Sequence, residues 1–148
     1  MPKFAATQIR PVEIQTVEQS LTLCQMIGDI RLVAYDTETT GIDAHKDRMV
    51  LATLSLPQHS WMPHWSDPRV FGDHFDLESG SKFVVPATPD LCGPIMQSLG
   101  FRGVDVIAHH SQYDNHIVYR HFRVKPGCGG RLFDPMIIVT NPLPVLAT

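Results

Sequence analysis

Six residues, Ile30 to Tyr35, form a short and nearly continuous apolar run that stops abruptly at Asp36-Thr37-Glu38. That pattern belongs to a strand buried on both faces, the kind found inside an α/β sheet. Met49 to Leu56 reads as a second strand, and Lys82 to Pro86, centred on Val84 and Val85, as a third. Val104 to Ala108 gives a fourth, and Leu132 with Phe133 a short fifth.

Helical signals fall between them. Thr16-Val-Glu-Gln19 has the form of a capping box, followed by Val17, Leu21, Cys24 and Ile27 at helical spacing, with Gly28 as the stop. Pro89 follows Thr88, a suitable cap, and Leu91, Ile95 and Leu99 supply one apolar face before Gly100. Gln112 to Phe122 reads as a further helix with Ser111 as its cap. Asp134-Pro135 opens a last helical turn that Pro142 and Pro144 curtail. The order is helix, three strands, helix, strand, helix, strand, helix. Closely linked early strands imply antiparallel pairing, and later alternation implies parallel crossovers. The expected fold is an α/β sandwich on a mixed five-stranded sheet. Gln58 to Ser81 stands apart as a long connection rich in Pro, His, Trp and Asp, of the kind used as lids or binding loops. Gly127-Cys-Gly-Gly130 leads into a strand and reads as a turn.

A chain of 148 residues is expected to form one domain, residues 1–148, and its 43% apolar content is that of a globular protein. The net charge of −3 does not favour a protein that lives on phosphate contacts alone, and it is compatible with a carboxylate-lined metal site. Cys24, Cys92 and Cys128 form no C-x-x-C pair, which points to reduced thiols. With no signal-peptide core and no apolar run long enough to cross a bilayer, a soluble, cytoplasmic protein without membrane partners is expected.

Chemistry concentrates where two strands end. In a strand, Asp36 and Glu38 point to one side, and two hard oxygen ligands so placed suit Mg²⁺ or Mn²⁺. Alone, D-x-E is a weak signal, equally met by two acids at a strand exit. A second constellation, His109-His110-Ser111-Gln112-Tyr113-Asp114, follows the strand Val104 to Ala108. Asp114 falls in a first helical turn, where the helix dipole alone would favour an acid. Three carboxylates delivered by two strand ends repel one another, and a cation is the simplest compensation.

Tyr35-Asp-Thr-Glu-Thr-Thr-Gly-Ile42 resembles the first motif of the DEDD superfamily of 3′→5′ exonucleases. Ile107-Ala-His-His-Ser-Gln-Tyr-Asp114 resembles the second, and Leu132-Phe-Asp-Pro-Met136 the segment that follows in the proofreading domains of family-A DNA polymerases and in ribonuclease D relatives. The resemblance runs from about Thr16 to Leu143. It implies a ribonuclease-H-like fold and makes Asp36, Glu38 and Asp114 the catalytic metal ligands for two divalent ions. Thr37, Ile42, His110 and Tyr113 become substrate contacts, with Ile42 as an apolar wedge against the terminal base and His110 where the family commonly has asparagine.

The family also requires a fourth acid, an aspartate four residues after a tyrosine or histidine. After Asp114 the only acidic residue is Asp134, and Gly130 lies four before it. The expectation is therefore a C-terminally truncated domain lacking the helix with the third motif. It would act on single-stranded DNA 3′ ends, as in polymerase proofreading, with a polymerase or second chain supplying the missing motif. The alternative is a catalytically incomplete module that binds nucleic acid or a partner protein. Trp61 and Trp65 either stack bases or pack their loop; His59, His64 and His74 lack metal-ligand spacing; Asp134 caps the last helix or touches metal.

Overall fold

The computed structural model describes residues 11–57 and 81–135. Its elements in chain order are β1 (Val12–Glu13), α1 (Val17–Ile30), β2 (Leu32–Thr39), β3 (Met49–Leu56), β4 (Ser81–Pro86), α2 (Pro89–Leu99), β5 (Asp105–Ile107), α3 (Ser111–Phe122) and β6 (Leu132–Phe133). The sheet order is β1-β4-β3-β2-β5-β6. β2, β3 and β4 pair antiparallel, while β1 joins β4 and β5 joins both β2 and β6 in parallel. This is the mixed α/β sheet that the strand spacing implies, with one more strand than expected. Val12–Glu13 is too short to show any periodicity, and it becomes a strand only by pairing with Phe83 and Val84.

Alternation along the central strands sorts the two sheet faces. Val33, Tyr35 and Thr37 on β2, Ala52 and Leu54 on β3, and Phe83 and Val85 on β4 lie on one face and are buried. Leu23, Met26 and Ile27 of α1 and Ile95, Met96 and Leu99 of α2 join them in a single core. The two helices meet directly, with Ser20 Oγ donating to the Leu91 carbonyl at 2.6 Å. On the other face, Ala34, Asp36, Thr53, Ser55 and Lys82 line a groove of about 260 Å³. Of the run Ile30 to Tyr35, expected as one strand buried on both faces, Ile30 ends α1 and Arg31 caps it. β2 starts at Leu32, with Val33 and Tyr35 buried on one face and Ala34 only half-buried on the other.

Three helix details differ from the sequence expectation: the buried stripe of α1, its end and the cap of α2. The capping box at Thr16 and Gln19 forms with both bonds. Even so, the buried stripe of α1 is Ser20, Leu23, Met26 and Ile27, while Val17 and Leu21 face outward. The buried hydroxyl of Ser20 is satisfied by α2, so a polar residue takes the place the periodicity gave to Leu21. Gly28 does not stop α1, which continues to Ile30 and ends with Arg31 in the left-handed region at φ 61°. Thr88 makes no side-chain cap bond to α2, whose first turn is set by Pro89.

The glycine turn before β6 is a close-packing device. A Cβ at Gly129 would fall 2.2 Å from the Phe101 backbone, and one at Gly130 would fall 2.1 Å from the Val104 carbonyl oxygen. Only glycine lets this turn press against β5 and lead β6 into register. Among the described residues, no helix is long and apolar enough to cross a membrane. Cys24, Cys92 and Cys128 are free. Trp61, Trp65, His59, His64, His74, the long connection around them, and the turn after Pro135 lie outside the described residues.

Candidate active site

Asp36 and Glu38 lie within β2 rather than beyond its end, on the open face, and both are exposed. Thr37 between them points the other way and is buried. β5 pairs with β2 only as far as Ala34, so beyond that point the β5 side of β2 has no neighbouring strand among the described residues. α3 fills the gap. Thr37 donates its amide (3.3 Å) and its hydroxyl (2.5 Å) to Oδ1 of Asp114. Three consecutive residues of α3 reach three alternate residues of β2: Tyr113 meets Thr39, Asp114 meets Thr37, and Asn115 accepts from the Tyr35 hydroxyl.

Asp114 is 3% exposed. Burial, with the charge of Asp36 adding to it, pushes its carboxyl up to about 6, against the pull of the Thr37 hydrogen bonds and the His110 imidazole. The same burial pushes the Tyr35 phenol well above its ordinary value, with Asp114 and Asp36 contributing. Asp36 and Asp114 are therefore close enough to feel one another's charge. The donor chemistry fits a hard divalent cation, and negative charge gathered on a buried carboxylate is what such an ion would relieve. The number of donors falls short of the expectation. Among the described residues no three His, Cys, Asp or Glu side chains come together closely enough to hold a metal ion. Asp114 is buried at the edge of β2, whereas Asp36 and Glu38 are exposed on its open face.

The remaining expected residues divide. Ile42 is 96% exposed on the loop after β2, free to meet a ligand. His110 lines a pocket of about 240 Å³ with Ala44, His45, Gln112, Tyr113 and His116, where the His45 and His116 rings meet edge to face at 4.5 Å. Thr37 is buried and gives its amide and hydroxyl to Asp114, so it holds that carboxylate in place. The Tyr113 hydroxyl lies 2.7 Å from the Gly41 carbonyl and 2.9 Å from Thr39 Oγ1, which ties the loop to α3.

Several residues escaped the sequence reading. Arg120 donates to the carbonyls of Ala44 (2.6 Å) and Asp47 (2.9 Å), two turns along α3 from Tyr113, and so grips the loop at a second point. Asp47 closes that loop from within, accepting from Thr40 Oγ1 and from the Asp43 amide. Asp134 caps α3. Its Oδ1 accepts from the His110 amide at 3.1 Å, and its Oδ2 from the amide and hydroxyl of Ser111 at 2.7 and 2.8 Å. Ser111, expected as the cap, is the first helical residue. The N-cap is His110, in the left-handed region at φ 55° and without a side-chain cap bond. No local pattern announces a cap that comes from 23 residues downstream.

No known protein family and no curated protein matches this chain by sequence. Solved structures do match its fold. It is similar to Brucella melitensis NrnC with bound Mg²⁺, at 17% identity over 88% of this chain and 50% of that one, with a TM-score of 0.53. Escherichia coli RNase D, an exoribonuclease involved in structured RNA processing, matches at 17% identity, 88% and 28% coverage and a TM-score of 0.57. Trypanosoma brucei RNase D in complex with RNA U12 matches at 15% identity, 86% and 38% coverage and a TM-score of 0.59. The chain spans half or less of the length of each. At such identity the likeness is one of fold: the mixed sheet with its three described helices is the ribonuclease-H-like arrangement that these nucleases share.

Proposed function

We propose that this chain carries the core of a divalent-metal-dependent 3′→5′ exonuclease of the DEDD type, acting on single-stranded nucleic acid. The observation that carries the reading is the placement of Asp36, Glu38 and Asp114 at the point where β5 ends beside β2. There a buried carboxylate is pushed up to about 6 by its surroundings, including the charge of Asp36. Mg²⁺ or Mn²⁺ bound by these carboxylates would supply charge stabilisation on the scissile phosphate and an activated water. The chain's own residues have separate tasks in this reading. Thr37 fixes the orientation of Asp114, Tyr113 and Arg120 hold the loop that carries Ile42, and Ile42 presents apolar surface to a terminal base.

RNA is the better supported substrate class, because solved relatives of this fold include an exoribonuclease and a complex with RNA. The sequence resemblance to polymerase proofreading domains keeps single-stranded DNA as the competing substrate, with a polymerase as the corresponding partner. The motif residues do not discriminate between the two, since none of them is a recognised reader of the 2′-hydroxyl.

A second reading, an exonuclease-fold module that binds without cleaving, is favoured by the fate of Asp134. It is the one acid after Asp114 in the sequence, and its carboxylate is committed to the start of α3. A fourth carboxylate and its tyrosine or histidine would then have to come from another segment or a second chain. General-base assistance is typically worth about 10²–10⁴-fold, so these 148 residues alone should be slow. The test is an assay on 3′-labelled single-stranded RNA and DNA with Mg²⁺ or Mn²⁺, with and without an added segment bearing the third motif. Release of mononucleotides from the 3′ end, faster on RNA and stimulated by the added segment, is the expected result. Internal cleavage, or hydrolysis that persists in EDTA, would overturn the exonuclease reading. Tight binding with no hydrolysis in any mixture would establish the second reading.

A further inference from the structure

We infer that Asp134 is a positioning residue for the carboxylate site, setting the place of Asp114 through the first turn of α3. Ordinarily a helix start is fixed by its own N-cap side chain. Here the N-cap His110 contributes none and holds a left-handed backbone that residues with a Cβ rarely adopt. The three donors at that start, the His110 amide and the amide and hydroxyl of Ser111, all converge on the Asp134 carboxylate, itself 5% exposed. A carboxylate at a helix N-terminus also meets the favourable end of the helix dipole.

Asp134 is placed in turn by the sheet. β6 runs parallel to β5, with the Val106 amide bonded to the Arg131 carbonyl (2.8 Å) and the Ala108 amide to the Phe133 carbonyl (3.0 Å). The next residue after that ladder is Asp134. Ser111 and Asp114 are three apart on α3, so both lie on one side of the helix, and both are buried. The path is continuous: the β5–β6 register sets Asp134, Asp134 sets Ser111, and one turn later Asp114 is delivered to Thr37. Asp134 has no need to touch a metal ion to govern one. Outer partners that orient ligands typically change metal affinity or activity by about 10–100-fold when mutated.

The functional half of this inference rests on the exonuclease reading; the structural half does not. The experiment therefore has two readouts on the full 148-residue chain. One is amide-hydrogen exchange at Thr37, whose N–H is held by Asp114, relative to Val33 in the same strand. The other is Mn²⁺ affinity by calorimetric titration. Asp134→Asn is expected to speed Thr37 exchange over Val33 by about tenfold and to weaken Mn²⁺ binding by about 10–100-fold. Leu23→Ala, a core truncation in α1, lowers the melting temperature and should move neither. Where wild type binds Mn²⁺, an unchanged value of either readout in Asp134→Asn overturns the inference. Where wild type binds none, the exonuclease reading fails and Thr37 exchange alone decides the positioning. Should Asp134→Asn not fold, Ser111→Ala removes only one of the three bonds; unchanged exchange at Thr37 in that variant also overturns the inference.

Discussion

Thr37 and Asp114 come from positions 77 residues apart, yet the threonine gives both its amide and its hydroxyl to one oxygen of the aspartate. This pair joins the two elements that carry the candidate chemistry. It also explains why a threonine stands between two exposed acids: strand alternation turns it to the buried side, where Asp114 arrives. Thr37→Val keeps the shape and removes the hydroxyl. The loss should cost about 1–3 kcal/mol, since a buried carboxylate oxygen loses a donor, and should push the Asp114 carboxyl further up. Thermal unfolding and ¹³C titration of the aspartate carboxyls will check both.

The raised Asp114 carboxyl makes a signed prediction about stability in the metal-free protein. Folded Asp114 titrates at about 6, whereas unfolded aspartate titrates near ~3.9, so between those values the folded state holds the extra proton. Its contribution is present below about pH 4 and is lost as pH rises through about 6. Asp114→Asn keeps an oxygen to accept from Thr37 and abolishes the titration. At pH 8 this variant should be more stable than wild type, by at most about 3 kcal/mol, with the gain vanishing at pH 4. Chemical unfolding across that range will show it.

Asp36 is exposed and its side chain makes no hydrogen bond among the described residues, so Asp36→Ala relieves repulsion on Asp114 at little cost in packing. Its melting temperature should be unchanged or raised, while any metal-dependent hydrolysis disappears. A large drop in stability would mean Asp36 serves the fold.

Ile42 offers a clean separation of binding from folding. At 96% exposure, its truncation to alanine should change stability by less than about 0.5 kcal/mol. In the proposed role it should weaken binding of a single strand several-fold, raising KM more than it lowers kcat. Fluorescence anisotropy with a labelled oligonucleotide, beside a thermal melt, will test this.

The sheet was legible in the sequence because its strands are compact apolar runs: Met49–Leu56 and Ser81–Pro86 coincide with their expected spans almost to the residue. The capping box at Thr16 and Gln19 was legible too, its signal being local. Features set by distant partners were not. The burial of Ser20 depends on Leu91, the start of α3 on Asp134, and the shape of the loop after β2 on Arg120. Asp36, Glu38 and Asp114 were singled out by spacing and resemblance. Neither could show that Thr37 takes one oxygen of Asp114, or that Asp114 is buried while Asp36 and Glu38 are exposed.

The central proposal is that Asp36, Glu38 and Asp114 together hold a divalent cation, and Mn²⁺ titration followed by electron paramagnetic resonance tests it most directly. The account predicts saturable binding to the wild-type chain, lost in Asp36→Ala and weakened at least about tenfold in Asp114→Asn. Absence of saturable Mn²⁺ binding, or binding that survives Asp36→Ala unchanged, would contradict it.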